Sequence, residues 1–359
     1  MSLRTLLVKN LRIIEHLELS LAEDATLFCG ENGAGKTSIL EAIDFLSRGR
    51  TFRSRRLEPL LRAESKAITV SGEVFEDQLS THLGIQKSID KTVLHCNQQK
   101  VDSISNHANY LPVVCLHPDC HQLIQGGARY RRNYIDWSAF HVKQEFLSDW
   151  RNYSKCLRQR NQVLRQDNIM EQELSAWTTE LSEAGEKIDY TRSQIFNEIS
   201  PIFEDYSRKL LPECEITWVY DRGWSKEQSL QEALEQVTTQ ERRHKTTRRG
   251  PQRAEIKILM NKQDAAMSAS RGQQKQIAAC LMLAQIAHVQ HANGRNCVVL
   301  LDDIRAELDQ VHADALFASL QALNSQVIAS AIEPKQVSLE GWTHTKLFHV
   351  KQGTCELMA

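Results

Sequence analysis

Gly30-Glu31-Asn32-Gly33-Ala34-Gly35-Lys36-Thr37 is the stretch that decides how this chain folds. It is a complete G-x-x-x-x-G-K-T pattern. Its glycines let successive backbone N–H groups turn inward around a phosphate, the lysine reaches the outer oxygens, and the threonine hydroxyl ligates Mg²⁺. Such a loop requires a strand before it and a helix after it. Ala25 to Cys29 is a short apolar run, and Ile39, Leu40, Ile43 and Leu46 share one helical face, so both are present.

A magnesium–nucleotide site also needs a carboxylate at the end of a neighbouring buried strand. Val298-Val299-Leu300-Leu301 runs directly into Asp302-Asp303. Asp302 is placed to hold Mg²⁺ through the metal's water shell, and Asp303 to polarise the attacking water. Two aspartates after an apolar strand are more often a helix cap, and it is Lys36 that turns them into a site. Thr37 and Asp302 are 265 residues apart. That distance excludes a compact kinase or small GTPase and favours an ATPase core split by a large insertion.

Composition narrows the class further. The 359 residues are 41% apolar and 25% charged, a soluble globular balance with length for about two domains. Lys and Arg number 44 against 45 Asp and Glu, a net charge of −1, so a uniformly basic nucleic-acid-coating protein is excluded and any polyanion grip must be local. The nine cysteines are an odd number with no Cys-x-x-Cys pair, which reads as reduced, cytoplasmic usage. No apolar run reaches the length of a membrane span, and charges interrupt the N-terminus before a signal peptide could form. Cys115 to His121 crowds metal-ligand residue types, but no second Cys or His pair lies nearby at zinc-site spacing, so a strand end and turn is the simpler reading.

Glu15 to Leu21 alternates as a half-buried strand, and Leu111 to Leu116 reads as a buried one. Phe146, Trp150, Tyr153, Leu157 and Leu164, then Leu174, Trp177, Leu181, Ala184, Ile188, Ile195 and Ile199, predict two antiparallel helices, with Pro201 and Pro212 as punctuation. Glu215 to Tyr220 reads as a strand, Arg271 to Gln290 as a long helix, Val311 to Leu323 as a helix and Gln326 to Ala329 as a strand. The expected fold is therefore α/β: a P-loop ATPase head with a mixed sheet, plus a mainly helical second lobe carrying a short antiparallel helical arm. Its expected parts are 1–118 (lobe I with the phosphate loop), 119–290 (lobe II) and 291–359 (the rest of lobe I).

Ser270-Arg271-Gly272-Gln273 resembles the L-S-G-G-Q signature of ABC-type ATPases, with Arg271 in place of the first glycine; its plain alternative is a helix N-cap serine. Ala306-Glu307-Leu308-Asp309 resembles their D-loop. Within that superfamily the chain is similar to the RecF family of recombination-repair ATPases, relatives of SMC heads. Leu300 to Asp309 with His312 and Leu316 carries the likeness. So do Pro118-Asp119, Gly126-Gly127, Arg131-Arg132, Tyr134 to Asp136, Thr247, Gly250-Pro251 and Glu255. Ala128, Gln252 and Glu255 depart from that family's usual proline, histidine and aspartate. No histidine follows the strand ending at Ala329, where many ABC ATPases sense the γ-phosphate; Ser330 is the nearby polar residue.

The resemblance implies ATP and Mg²⁺ as cofactors and an ATP-dependent homodimer in which Ser270, Gly272 and Gln273 close on the nucleotide of a second subunit. It also implies action on double- and single-stranded DNA at gaps and junctions, with RecR and RecO as partners in loading the recombinase and supporting replication restart and the SOS response. ATP turnover is expected to be weak, DNA-stimulated and slow, and no membrane is involved. Arg50, Arg53, Arg55 and Arg56 after the first helix, and Arg158 and Arg160 on the arm, are the candidate DNA contacts; Arg50 and Arg53 could instead face the nucleotide. The rival readings are the ATPase subunit of a transporter and a DNA-binding scaffold indifferent to nucleotide.

Overall fold

The structure, a computed structural model, describes residues 1–303 and 308–358. Ala306 and Glu307 of the expected D-loop lie outside the described residues. The chain divides into two units, residues 1–120 with 278–359, and residues 121–277. The helix Arg271–Asn293 runs continuously across the division at 277.

Unit 1 contains two six-stranded sheets. The first is antiparallel, in the order β2-β1-β4-β5-β6-β7, where β1 is Ser2–Leu11, β2 Ile14–Ser20, β4 Ala67–Glu76, β5 Leu79–Ser88, β6 Thr92–Cys96 and β7 Gln99–Val101. The second runs β15-β14-β3-β13-β12-β8, with β3 Ala25–Cys29, β8 Val113–Leu116, β12 Val298–Leu301, β13 Gln326–Ala331, β14 Thr345–Lys351 and β15 Thr354–Leu357. Its inner pairs are all parallel, and only β15 is antiparallel. Strands β3, β12 and β13 are buried at every position, which explains why they read as unbroken apolar runs.

The helix Lys36–Arg48 that follows the phosphate loop joins one core with both sheets. Ile39, Leu40, Ile43 and Leu46 cluster with Leu6 and Val8 of β1, Ile68 and Val70 of β4, and Leu300 and Ile328 of the parallel sheet. Burial on nearly all sides leaves its acidic residues to be neutralised internally. Glu41, with no exposure, accepts from Arg12 Nη2 at 2.8 Å and from Thr51 Oγ1 at 2.8 Å, and Asp44 pairs with Arg48. Burial raises the Asp44 carboxyl above the usual carboxylate range, against the pull of Arg48.

Strands β1 and β4 to β7 went unrecognised in the sequence. Their signal is present: in β4, Ile68, Val70 and Val74 are buried on alternate positions while intermediate residues stand between them. One buried face of an antiparallel sheet leaves the other polar, and the polar face dilutes the pattern.

Unit 2 holds helices Ala128–Val142, Phe146–Val163 and Glu171–Leu210, with the sheet β11-β10-β9 made of β9 Ile216–Asp221, β10 Glu255–Met260 and β11 Gln263–Asp264. Two expectations are corrected here. Helix Glu171–Leu210 runs straight through Pro201 instead of stopping. Phe196 and Phe203, on either side of the proline, pack tilted rings on Trp218 of β9 at 4.6 and 4.9 Å between centroids and so anchor the helix on both sides of the hydrogen bond that the proline removes. On helix Phe146–Val163 the buried face is Phe146, Tyr153, Cys156, Arg160 and Val163, whereas Trp150 is 43% exposed.

Arg160 is therefore not a DNA contact. It has no exposure; Nε donates to Thr178 Oγ1 and Nη1 to Thr247 Oγ1, each at 2.9 Å, and Nη2 lies 2.7 Å from Glu241 Oε2, a charge contact off hydrogen-bond geometry. Other residues that carried the family likeness hold unit 2 together as well. Arg131 grips Glu255 with Nε at 2.8 Å and Nη2 at 2.9 Å, Arg132 donates to Ala254 O at 2.7 Å, and Arg192 grips Asp136 through two bonds. Here the longer reach of glutamate at 255 serves the bidentate pair.

Candidate nucleotide site

The phosphate loop is shaped by backbone positions that only glycine fills. Gly30 stands at φ 153°, where a Cβ would come within 2.3 Å of Val350 O, and Gly35 at φ 115° beside Gly353. The β14–β15 turn braces the loop from outside, Gly353 N donating to Ala34 O at 2.8 Å. Lys36 folds back over it, Nζ donating to Gly30 O at 2.7 Å and Glu31 O at 2.9 Å. These carbonyls satisfy the ammonium where phosphate oxygens would otherwise do so. Burial lowers the Lys36 pKa from lysine's usual value, and the Asp303 and Asp302 charges oppose that shift.

Sheet order then builds the acidic half. β13 lies between β3 and β12, with Ser330 opposite Phe28 and Ala329 opposite Leu301. The end of β12 is thereby carried beside the start of the phosphate-loop helix. Thr37 Oγ1 donates to Asp302 Oδ1 at 2.9 Å across 265 residues of sequence, and Ser330 Oγ donates to the same oxygen at 2.8 Å while accepting from Asp303 N at 2.9 Å. Asp303 stands at φ 51°, a left-handed conformation that aspartate tolerates better than most residues.

A hydroxyl and a carboxylate on adjoining elements fit Mg²⁺, a hard cation that takes one or two carboxylates and completes its shell with phosphate and water. Accordingly no cluster of three or more His, Cys, Asp or Glu is needed, and none occurs among the described residues. Burial raises the Asp302 pKa, while the Ser330 and Thr37 hydrogen bonds and the Arg53 charge pull it down. With its folded value above the unfolded one, Asp302 adds stability below its unfolded pKa that is lost as pH rises through the folded one. Metal binding has the opposite sign, since it requires the carboxylate. Ser330→Ala removes a bond to that carboxylate, so the acid limb of the pH–rate profile for ATP hydrolysis is expected to move to higher pH. An unmoved limb would show Ser330 to be packing only.

Sequence reasoning singled out Ser330 only as the polar residue nearest a missing histidine. Its two hydrogen bonds follow from strand order, which no local motif encodes. Of the arginines after the first helix, Arg53 is exposed yet close enough for its charge to act on Asp302, and the charge of Arg50 acts on Asp44. Arg55 and Arg56 are exposed, as is Arg158 on the helix Phe146–Val163.

In unit 2, Ser270 and Gln273 form a reciprocal capping pair at the start of helix Arg271–Asn293. Ser270 N donates to Gln273 Oε1 at 2.9 Å, and Gln273 N to Ser270 Oγ at 3.3 Å. The N-cap reading of Ser270 therefore holds. Capping uses only the hydroxyl's acceptor side, and the exposed Ser270 keeps its own proton for an incoming oxygen. Leu308 and Asp309 are described, and Asp309 caps helix Gln310–Ala322 through His312 N at 3.0 Å.

A phosphate loop leading into a helix, with a paired acidic strand end beside it in a mixed sheet, defines a P-loop ATPase head. The chain belongs to the RecF/RecN/SMC N-terminal domain family, whose model matches residues 2–356, and within it to the RecF proteins. It is 38% identical to the DNA replication and repair protein RecF of Thioalkalivibrio sulfidiphilus over 99% of both chains, and 36% identical to that of Cellvibrio japonicus over 98% of both. Among solved structures it resembles the recombination mediator protein RecF-ATP in the RecFOR pathway, with TM-score 0.88 and 24% identity over 99% of this chain and 97% of that one. An Smc head bound to the C-terminal winged-helix domain of ScpA shares the fold at TM-score 0.59 and 16% identity, over 100% of this chain and 97% of that one. No helix among the described residues is long and apolar enough to cross a membrane.

Proposed function

We propose that this chain is an ATP-gated DNA clamp of recombination repair. It binds Mg²⁺–ATP through Gly30 to Thr37 and Asp302, and pairs with a second copy through Ser270, Gly272 and Gln273. The pair closes on double-stranded DNA at gaps and at junctions with single strands. Working with RecR and RecO in the cytoplasm, it helps load the recombinase and supports replication restart and the SOS response. The observation that carries the reading is the joining of Thr37, Asp302, Ser330 and Asp303 into one hydrogen-bonded set at the mouth of the phosphate loop. DNA repair as the setting is supported by the relatives' names, and ATP by the ATP-bound RecF structure.

Each residue has a physical task. Loop amides and Lys36 hold the β- and γ-phosphates, and Mg²⁺ supplies charge neutralisation when bound. The Asp303 carboxylate orients and polarises water for attack. Met267, 88% exposed beside the signature, and Val311, 75% exposed beyond the D-loop, are apolar side chains that a second copy would cover. Turnover below about 10 per second, the median for ordinary enzymes, suits a switch.

Sedimentation with and without ATP, and again with gapped duplex, tests the reading. The native chain is expected to dimerise only with ATP and to capture DNA as a dimer. Ser270→Arg should keep ATP binding and stay monomeric, because the long side chain fills the space in which the hydroxyl would meet the partner's γ-phosphate and removes the cap on Gln273 N. If Ser270→Arg still dimerises with ATP, the signature assignment is wrong. DNA capture that is equal with and without nucleotide would favour the indifferent scaffold instead.

A further inference from the structure

The arginines of unit 2 differ in what they meet, and several, Arg129, Arg158, Arg165, Arg208, Arg243 and Arg271 among them, stand exposed on its surface. Arg131, Arg132, Arg160, Arg192, Arg222 and Arg242 each meet a carboxylate, carbonyl or hydroxyl within the unit. Arg248, Arg249 and Arg253 are exposed, and their guanidinium groups have no hydrogen bond or ion pair with a described residue. All three line one cavity of about 820 Å³, within the usual size range of ligand sites. Three guanidinium groups lining one concavity give it a local positive field that attracts an anion.

The cavity is a built feature. Gly223, at φ 95°, lets the turn after β9 lie directly on the segment bearing the arginines: a Cβ there would stand 2.6 Å from Gly250 O and 2.9 Å from Ala254 N. Asp221, the acidic residue in the lining, already accepts Gly223 N at 2.9 Å. Arg222 is committed to the wall itself, Nη2 donating to the carbonyls of Ser225 and Gln228 and its guanidinium lying 4.4 Å from the Trp224 ring centroid. Trp224 is 5% exposed and forms the wall, and its indole Nε1 has no acceptor among the described residues.

We propose that this cavity is an oxyanion site that takes backbone phosphates of a nucleic-acid strand. The inference rests on the reading of the chain as DNA-binding and assigns to it a contact in unit 2, made by arginines other than those after the phosphate-loop helix. Phosphate is favoured over an acidic protein segment by the lining. Protein partners bind through aromatic or aliphatic anchors in desolvated pockets, and here the large apolar side chain is already buried in the wall while Ser225, Gln228 and Gln236 present neutral polar groups. Guanidinium forks match phosphate geometry, and counterion release supplies affinity without an apolar anchor.

The test is a salt titration of the full chain with ATP and a fluorescein-labelled gapped duplex, between 50 and 200 mM salt. Arg248→Gln, Arg249→Gln and Arg253→Gln combined are expected to reduce the slope of log affinity against log salt by about 2 to 3, at ~0.9 per phosphate lost, and to weaken binding at least about tenfold. The matching triple Lys variant should restore most of the slope, and both should melt and bind ATP like the native chain. If the native chain binds the duplex and the triple Gln variant keeps its slope and affinity, the cavity assignment fails while the clamp reading stands. If the native chain does not bind DNA at all, the clamp reading itself fails. Competition by a deca-glutamate peptide as strong as that of a ten-nucleotide strand would overturn the choice of phosphate.

Discussion

Lys36→Met is expected to lower ATP affinity about 100-fold or more while leaving the fold standing. The ammonium is the one lysine at the loop and would make at least two charge-assisted bonds to phosphate, each worth about 1.5–3 kcal/mol, and 1.4 kcal/mol is a factor of ten. The loss shows most clearly in thermal melts. ATP at a hundred times its Kd stabilises a protein by about 2.7 kcal/mol, so the native melting temperature should rise with ATP and that of the variant should not. Without nucleotide the change is milder. Gly30 O and Glu31 O lose the Nζ donor, but methionine fills the space of a side chain that is already mostly buried, and Gly353 still holds the loop through Ala34. A Lys36→Met chain whose melting temperature still climbs with ATP would show that the nucleotide binds elsewhere.

That prediction could be drawn from eight residues because the chemistry of the loop is local: the glycines, the lysine and the threonine act within one turn of chain. The Asp302-Asp303 pair was legible for a similar reason, as a buried parallel strand is an unbroken apolar run and its end is marked by charge. What joins the two is not local. Ser330 touches Asp302 because β13 lies between β3 and β12, and strand order depends on the whole unit. Of the antiparallel sheet only β2 was legible, by its strict alternation; in the others polar and intermediate residues blur the pattern, and β6 and β7 are only five and three residues long.

The arginines show how a charge reading goes wrong and how it is repaired. Arg158 and Arg160 are two positions apart on a helix, roughly 200° around its axis, so one must face inward when the other faces water. The apolar residues fix which: Tyr153, Cys156 and Val163 place Arg160 on the buried stripe at spacings of seven, four and three. Counting Trp150 and Leu157 as that stripe put the phase wrong. A basic cluster in sequence is thus a mixture, some members exposed and some, like Arg160 and Arg192, buried and holding the unit together.

For that last group the expected effect is on stability. Glu241→Gln should destabilise the protein by about 3–5 kcal/mol, because it leaves the Arg160 charge buried and uncompensated. At about 2–4 °C per kcal/mol, the melting temperature falls by on the order of 10 °C. The amide cannot substitute for the carboxylate: Oε1 must still accept Arg248 N at 2.6 Å, so the NH₂ group is turned against the Arg160 guanidinium, donor to donor. The double change Arg160→Met with Glu241→Leu should recover most of the loss. Thr178 Oγ1 keeps Leu174 O and Thr247 Oγ1 keeps Asn161 Oδ1 as acceptors, and only the Arg248 amide is left without its partner. A Glu241→Gln protein melting within about 2 °C of the native one would mean that the pair is neutral to folding. It would also remove the reason to expect that substitutions at Arg160 weaken DNA binding only by unfolding unit 2.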